Sequence, residues 1–388
     1  MISIAQQKLS LNTIETLLKE INPEVSSILN KILDGKNNLT QGDALKLFQT
    51  TGLDLQALLL TANFIRKQTK DDIVTFVINR NINFTNICIA HCKFCAFSVN
   101  PSDSEAFFLP DAEIVKRAKE AVKLGATEVC IQGGLAPNLD IFSYSKIITL
   151  LKKELPDLHI HGFSPMEVFY GAEKAGISIR EGLQILKEAG LNSMPGTAAE
   201  ILIDEIRQKI CPYKINVKTW IKIVKFAHKL GIPTSSTIMY GHIDSIEHRV
   251  THLQILKDIQ KETHGFTEFV PLPFMYWNTK IFKEGNAAPG STGIDDLKMY
   301  AIARLFFNKL INNIQVSWVK LGPKFAQIAL DAGCNDFGGT LMDENISKAA
   351  GASYGEYLPA HEIIRIIKNA GRIPAQRDTV YNILKIFS

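Results

Sequence analysis

The sequence predicts a parallel (β/α)8 barrel of the TIM type, an α/β fold with a helical segment before it and helices after it. Two observations carry this expectation. From residue 82 onward, eight short runs rich in β-branched and aromatic residues alternate with amphipathic helical stretches. Many of those stretches end in glycine, as helix C-caps do before a following strand. An open doubly wound sheet is the alternative, but eight evenly spaced units favour closure.

Residues 1–70 read as a helical segment. Leu11, Ile14, Leu17 and Leu18 recur at helical spacing, and Thr40 stands as an N-cap before an acidic first turn. The barrel is expected over residues 71–341. Its strands fall at 82–88 (INFTNIC), 128–132 (EVCIQ), 158–163 (LHIHGF) and 191–195 (LNSMP), then at 233–240 (PTSSTIMY), 267–272 (TEFVPL), 314–319 (IQVSWV) and 333–338 (GCNDFG). Residues 342–388 read as two or three helices packing on the barrel. In such a barrel the chemistry belongs to the loops that follow the strands.

Composition narrows the class. With 46% hydrophobic and 21% charged residues the chain is globular, not disordered. It has no apolar run near the ~18 residues of a membrane span, and its first twenty residues lack the compact apolar core of a signal peptide. The net charge of +4 comes from lysines scattered through the helical stretches, which describes a solvated surface and argues against a nucleic-acid or membrane face. Six cysteines in a chain of this kind read as thiols or metal ligands of a cytoplasmic protein, not as disulfides.

Three of those cysteines, Cys88, Cys92 and Cys95, lie within eight residues at the end of the first expected barrel strand. A structural zinc clamp needs four ligands, and the one neighbour on offer, His91, is adjacent to Cys92 and poorly placed to turn inward beside it. A redox pair would use Cys92 and Cys95 and leave Cys88 unexplained. A [4Fe–4S] cluster held by three thiolates leaves one iron open to a reagent, which explains the missing fourth cysteine. Phe94 would then wall the cluster from water. Cys130, Cys211 and Cys334 stand singly and read as small buried residues.

The C-x3-C-x2-C spacing, with an aromatic residue before the third cysteine, resembles the radical S-adenosylmethionine (SAM) superfamily. RNINFTNICIAHCKFCAF is similar to the subgroup of aminofutalosine synthase, the futalosine cyclase and the two deazaflavin-chromophore synthase proteins, and STIMYGH, HGFTEFVPLPF, QVSWVKLG and CNDFGGTLMDENISKAAGASYG resemble its CofH-type family, over nearly the whole chain. The resemblance implies one [4Fe–4S] cluster per chain, bound by the cysteine triad and completed by exchangeable SAM. It also implies a 5′-deoxyadenosyl radical and transfer of a 4-hydroxybenzyl group from L-tyrosine to 5-amino-6-(D-ribitylamino)uracil, on the way to the deazaflavin chromophore. One triad implies a stand-alone transferase, served by a reducing electron donor and followed by a separate CofG-type radical SAM cyclase. Aminofutalosine synthase of the menaquinone route shares the scaffold and is the rival enzyme. A non-catalytic zinc or electron-transfer protein is the rival from another class.

Under that resemblance each strand end supplies candidates. Gln132, Gly133 and Gly134 stand where the superfamily often has Gly-Gly-Glu, and are taken for SAM contact without the acid. Ser164 and Glu167 are candidates for SAM as well, with helix capping as the structural alternative. Thr197 and Glu200 fit a capping box, and His161 is either a substrate ligand or a satisfied core histidine. Tyr240 and His242 are candidates for substrate contact and, with Glu167, for catalysis. Gln315 and Ser317 would share one face of the seventh strand, with Trp318 and Lys320 on the other. Asn335 and Asp336 would meet the uracil edge or the ribityl hydroxyls.

Overall fold

The computed structural model describes residues 4–35 and 39–388; residues 1–3 and 36–38 of the expected N-terminal segment lie outside the described residues. Four helices (Ile4–Leu17, Pro23–Leu33, Gln41–Phe48 and Gly52–Lys70) precede the first strand. Thr40 caps the third of them reciprocally with Asp43. The third and fourth lie against the outer helices Ile246–Thr263 and Gly293–Phe307, and the first two pack on the fourth. Two lysines fasten the join: Lys298 donates to the Phe48 carbonyl (2.9 Å) and Lys257 to that of Leu39 (3.2 Å).

The barrel begins with β1 (Ile73–Val77) and β2 (Asn79–Asn83), one strand interrupted at Ile78. Going round, β2 pairs in parallel with β3 (Glu128–Gln132), and β3 with β4 (His159–Gly162). The fourth stave is reduced to two isolated bridges, His161 with Ser193 and Met194 with Thr234, the second reaching β5 (Thr234–Tyr240). β5 pairs with β6 (Phe266–Pro273). The seventh stave is again only two bridges, Phe269 with Ile314 and Gln315 with Asp336, the latter opening β7 (Asp336–Gly339). β7 returns to β1 through Thr75–Asp336 and Val77–Gly339, and the Asn81 N–H donates to the Leu341 carbonyl (2.9 Å). The ring of eight parallel staves is therefore closed, and the open-sheet alternative falls away. Val129, Ile131, Ile160, Ile238 and Phe269 are fully buried, and Phe269 packs against Phe307 of an outer helix.

Three departures from expectation have local causes. The first strand starts at Ile73 and stops at Asn83, because Phe84 onward turns into the cysteine loop. The seventh run is not a strand to its end: Trp318–Leu321 is a helical turn, held where the Trp318 indole N–H donates to the Gly339 carbonyl (2.8 Å). The C-terminal region is not helical throughout. After helices Asn345–Ala349 and Ala360–Asn369 it forms a hairpin, β8 (Ile373–Arg377) and β9 (Ile383–Ile386). β8 pairs in parallel with β1, on an edge left open because β3 comes into register only from Asn79. An edge strand gains more from that ladder than a further helical turn would from Ile373–Arg377, which contains a proline.

Candidate active site

One cavity of about 380 Å³ opens at the C-terminal ends of the staves. The three cysteines line one side of it. Their loop is built by residues of the NFTN stretch that precedes them. Asn86 donates to the Glu105 carbonyl (2.9 Å) and accepts from the Phe107 N–H (2.9 Å), while the Thr85 hydroxyl donates to the Phe107 carbonyl (2.7 Å). Backbone bonds from Cys88 to Val99, Ile89 to Leu135, Lys93 to Ile210 and Cys95 to Cys92 fix the rest. His91 takes a left-handed backbone conformation (φ 41°) and is exposed, so it turns away from the thiols as its position beside Cys92 required.

All three thiols are free. Burial raises the pKa of Cys92, and Lys214 opposes that shift. Among the described residues no three His, Cys, Asp or Glu side chains gather round one point as a single metal ion requires. Three soft thiols spread along one loop at a cavity mouth fit the larger iron–sulfur cluster, and the donor set matches it in chemistry. Phe94 also lines the cavity, with the Lys214 ammonium 5.3 Å from its ring centre.

Gln132, Gly133 and Gly134 line the cavity too, and the glycine pair has a structural reason to be glycine. A Cβ on Gly133 would stand 2.6 Å from the Phe84 ring; one on Gly134 would stand 2.1 Å from the Ile87 carbonyl oxygen and 2.9 Å from the Cys88 Cβ. The turn after β3 thus presses directly on the cysteine loop, and the Gly134 N–H donates to the Thr85 carbonyl (2.9 Å).

Ser164 and Glu167 do both of the things weighed for them: they cap a helix and they face the cavity. Ser164 caps helix Pro165–Ala175, Glu167 accepts the Ser164 N–H (2.6 Å) and then the Gly133 N–H (3.0 Å), and both residues line the cavity. Burial pushes the Glu167 carboxyl up to about 7, against the bonds from Ser164 and Gly133 and the charge of Lys214.

The capping box expected of Thr197 and Glu200 is absent. The next helix starts only at Asp204, because Glu200 takes a left-handed conformation (φ 47°). Its carboxylate instead pairs with Lys214 at 2.6 Å beside the cavity. Lys214 and Glu344 are cavity residues that the sequence reading missed. Glu344 lies inside the stretch CNDFGGTLMDENISKAAGASYG but past the expected strand end, and Lys214 stands in no such stretch, although it lies only three residues past Cys211, whose thiol is near enough to Cys92 for their charges to interact. From the seventh stave Gln315, Ser317 and Lys320 all line the cavity; Trp318 is buried in the core. The helical turn at Trp318 brings Lys320 round to join the other two, against the alternation expected of a strand.

Four expected substrate residues are placed elsewhere. Tyr240 does not line the cavity: it is buried, and its hydroxyl donates to Asp296 (2.7 Å). His242 is buried as well, bonded to the Met239 carbonyl (3.1 Å) and to the Ile243 N–H (2.7 Å) beside Asp244. Asn335 accepts from Arg304 (2.5 Å) and from the Ile314 N–H (2.9 Å). Asp336 accepts from Thr75 (2.5 Å) and is gripped by Arg377 through two bonds of 2.5 and 3.0 Å. Both are committed to framework partners: Asp336 ties β7 to β1 and β8, and Asn335 ties it to the seventh stave and to helix Gly293–Phe307. They lie at the start of β7, the end of the stave away from the cavity. His161 likewise resolves as a satisfied core histidine, bonded to the Ser193 hydroxyl (2.7 Å).

Comparison with known proteins agrees with this layout. Residues 82–256 match the family model of the radical SAM superfamily, and residues 263–388 match that of the CofH/MqnC C-terminal region. A 5-amino-6-(D-ribitylamino)uracil–L-tyrosine 4-hydroxyphenyl transferase of Methanothermobacter thermautotrophicus is 54% identical over 361 residues, covering 93% of this chain and 98% of that protein. The transferase of the same name from Methanococcus aeolicus is 56% identical over 351 residues, covering 90% and 97%. Among solved structures, methylornithine synthase (PylB) superimposes with a TM-score of 0.71 at 19% identity, covering 90% of this chain and 97% of that one. The FeFe-hydrogenase maturase HydG from Carboxydothermus hydrogenoformans gives 0.74 at 15%, covering 97% and 85%. These two establish a shared fold.

Proposed function

The chain belongs to the radical SAM superfamily and, within it, to the 5-amino-6-(D-ribitylamino)uracil–L-tyrosine 4-hydroxyphenyl transferases, and from that membership we propose how its cavity is divided between cofactor and substrates. The enzyme transfers the 4-hydroxybenzyl group of L-tyrosine to 5-amino-6-(D-ribitylamino)uracil. Identity above 50% across nearly the full length of the named transferases carries this reading. It also favours the transferase over aminofutalosine synthase and over a non-catalytic metal protein.

Cys88, Cys92 and Cys95 hold the [4Fe–4S] cluster, with SAM completing it. When bound, that pair supplies a 5′-deoxyadenosyl radical. The chain's own residues hold and shield the reactants. Gln132, Gly133 and Gly134 offer a backbone surface close to the cysteine loop, suited to the SAM amino acid moiety. Glu167, fixed by two N–H donors, presents a carboxyl that changes charge near neutrality and takes a hydroxyl or amino hydrogen of SAM. Met239, Val270, Leu272, Phe274 and Met275 provide apolar walls that exclude water from the radical chemistry. A reducing donor and a separate CofG-type cyclase act before and after this step. Among the described residues no helix is long and apolar enough to cross a membrane, and we assign the enzyme to the cytoplasm.

The test is anaerobic reconstitution with iron and sulfide, then incubation with SAM, a reductant and each substrate set. Tyrosine plus ribitylaminouracil should give the hydroxybenzyl adduct together with 5′-deoxyadenosine. Consumption of the enolpyruvyl nucleoside of the menaquinone route, with no adduct formed, would overturn the assignment.

A further inference from the structure

Two ammonium groups line the cavity, and they are in different states. Lys214 is committed to Glu200 at 2.6 Å. Lys320 has no hydrogen-bond or ion-pair partner for its side chain among the described residues; Glu344 and Glu200 reach it only through space, and burial lowers its pKa in spite of them. Its neighbours on the same wall are similarly uncommitted. Neither the Gln315 amide nor the Ser317 hydroxyl is bonded within the described residues, although both line the cavity. A desolvated ammonium, an amide and a hydroxyl that line one cavity, none of them hydrogen-bonded among the described residues, make an incomplete anion site.

We propose that Lys320, with Ser317 and Gln315, forms the pocket for the α-carboxylate of L-tyrosine and so orients the amino acid for side-chain cleavage. The assignment rests on the transferase reading above and extends it to one substrate. Of the two substrates, ribitylaminouracil carries no fixed negative charge, whereas tyrosine brings a carboxylate. The carboxylate of SAM goes with the cluster on the cysteine side. Lysine serves as a point charge whose three donors can follow a carboxylate as the substrate settles. Its place on a short helical turn, pinned by the buried Trp318, holds that charge on the fold instead of on a mobile loop.

The reconstituted holoenzyme, with SAM present, provides the test by equilibrium binding of L-tyrosine and of tyramine, which lacks the carboxylate. Wild-type enzyme should favour tyrosine, and Lys320→Gln should lose roughly 10- to 100-fold of tyrosine affinity, the range of one charge-assisted bond, with tyramine unchanged. Lys320→Arg should recover part of the loss. The electron paramagnetic resonance signal of the reduced cluster with SAM should be the same in all three proteins. A Lys320→Gln enzyme that still discriminates tyrosine from tyramine as wild type does would overturn the proposal. Should that variant fail to fold, equal wild-type affinity for tyrosine and its uncharged amide would overturn it independently. Wild-type enzyme that cleaves SAM yet binds no tyrosine would instead overturn the transferase reading on which the pocket rests.

Discussion

Gly134→Ala probes the contact on which the cysteine loop depends. The added Cβ would lie 2.1 Å from the Ile87 carbonyl oxygen, 2.7 Å from its carbon and 2.9 Å from the Cys88 Cβ. Unstrained contact is about 3.5 Å, so the loop has to retreat by roughly 1 Å or more. The obstacle is backbone, so no side-chain rotation relieves it. Overpacking of this kind costs about 1–3 kcal/mol, which a chain of this size can survive. The functional cost is larger, because a displacement of ~1 Å in a reacting centre is worth about 100-fold in rate. The assay is iron and sulfide content after anaerobic reconstitution, followed by the rate of 5′-deoxyadenosine formation, which should fall about 100-fold. Gly176→Ala is the control. Its left-handed backbone (φ 68°) costs an alanine about 1–2 kcal/mol, comparable to the overpacking strain, but its Cβ would meet nothing within 4 Å and it does not line the cavity. A Gly134→Ala enzyme that loads iron and cleaves SAM at the wild-type rate would refute the reasoning.

Arg377→Met should lower the melting temperature steeply, since stranding Asp336 without its buried partner costs about 3–5 kcal/mol, while KM for the uracil stays put in the folded fraction; a raised KM at unchanged melting temperature would return Asp336 to the substrate site. Burial raises the Glu268 carboxyl to about 7, against about 4.3 in an unfolded chain, so the native state keeps a proton that the unfolded state has lost. Stability should therefore fall as pH rises through that window, and Glu268→Gln should flatten the fall in melting temperature between about pH 5 and pH 8; an unchanged slope would count against it. Glu167 acts in the same direction, so some slope remains. Cys92→Ala should abolish 5′-deoxyadenosine formation, whereas Cys130→Ala, outside the cavity, should keep it; equal SAM cleavage by both variants would show the triad misread.

Most of the ring was legible in the sequence because each of its strong staves carries its own local signal. EVCIQ, PTSSTIMY and TEFVPL are dense in β-branched residues and are bounded by helix ends, so propensity and packing agree. The cysteine loop was legible for a different reason: its chemistry is written in contiguous residues. The hairpin at 373–386 was not, since its pairing depends on an edge of β1 that exists only once the barrel has closed. The structure places Tyr240, His242, Asn335 and Asp336 off the cavity wall, for one shared reason. Proximity to a strand end along the chain does not say whether a polar group is already satisfied, and all four are. Glu200 escaped because left-handed backbone at Ala198 and at Glu200 itself turns it from a cap into a cavity carboxylate.

The two staves that are reduced to isolated bridges are also the two that shape the cavity. Stave four lasts only for Ser193 and Met194 before Pro195 and Gly196 end it, and Gly196 comes so close to β5 that a Cβ there would stand 2.0 Å from the Ser235 carbonyl. The chain then leaves the wall, and its next turns supply Thr197 and Glu200 to the cavity. Stave seven ends at Ser317 in a helical turn, which brings Lys320 beside Gln315 and Ser317. Full-length strands at either place would have continued the alternation of inward and outward residues and sent half of these side chains to the outer helices. The shortness of those two staves is therefore a condition of the site: the barrel gives up ladder bonds at staves four and seven, and the freed backbone brings polar groups into a chamber otherwise walled by Met239, Val270, Leu272 and Phe274.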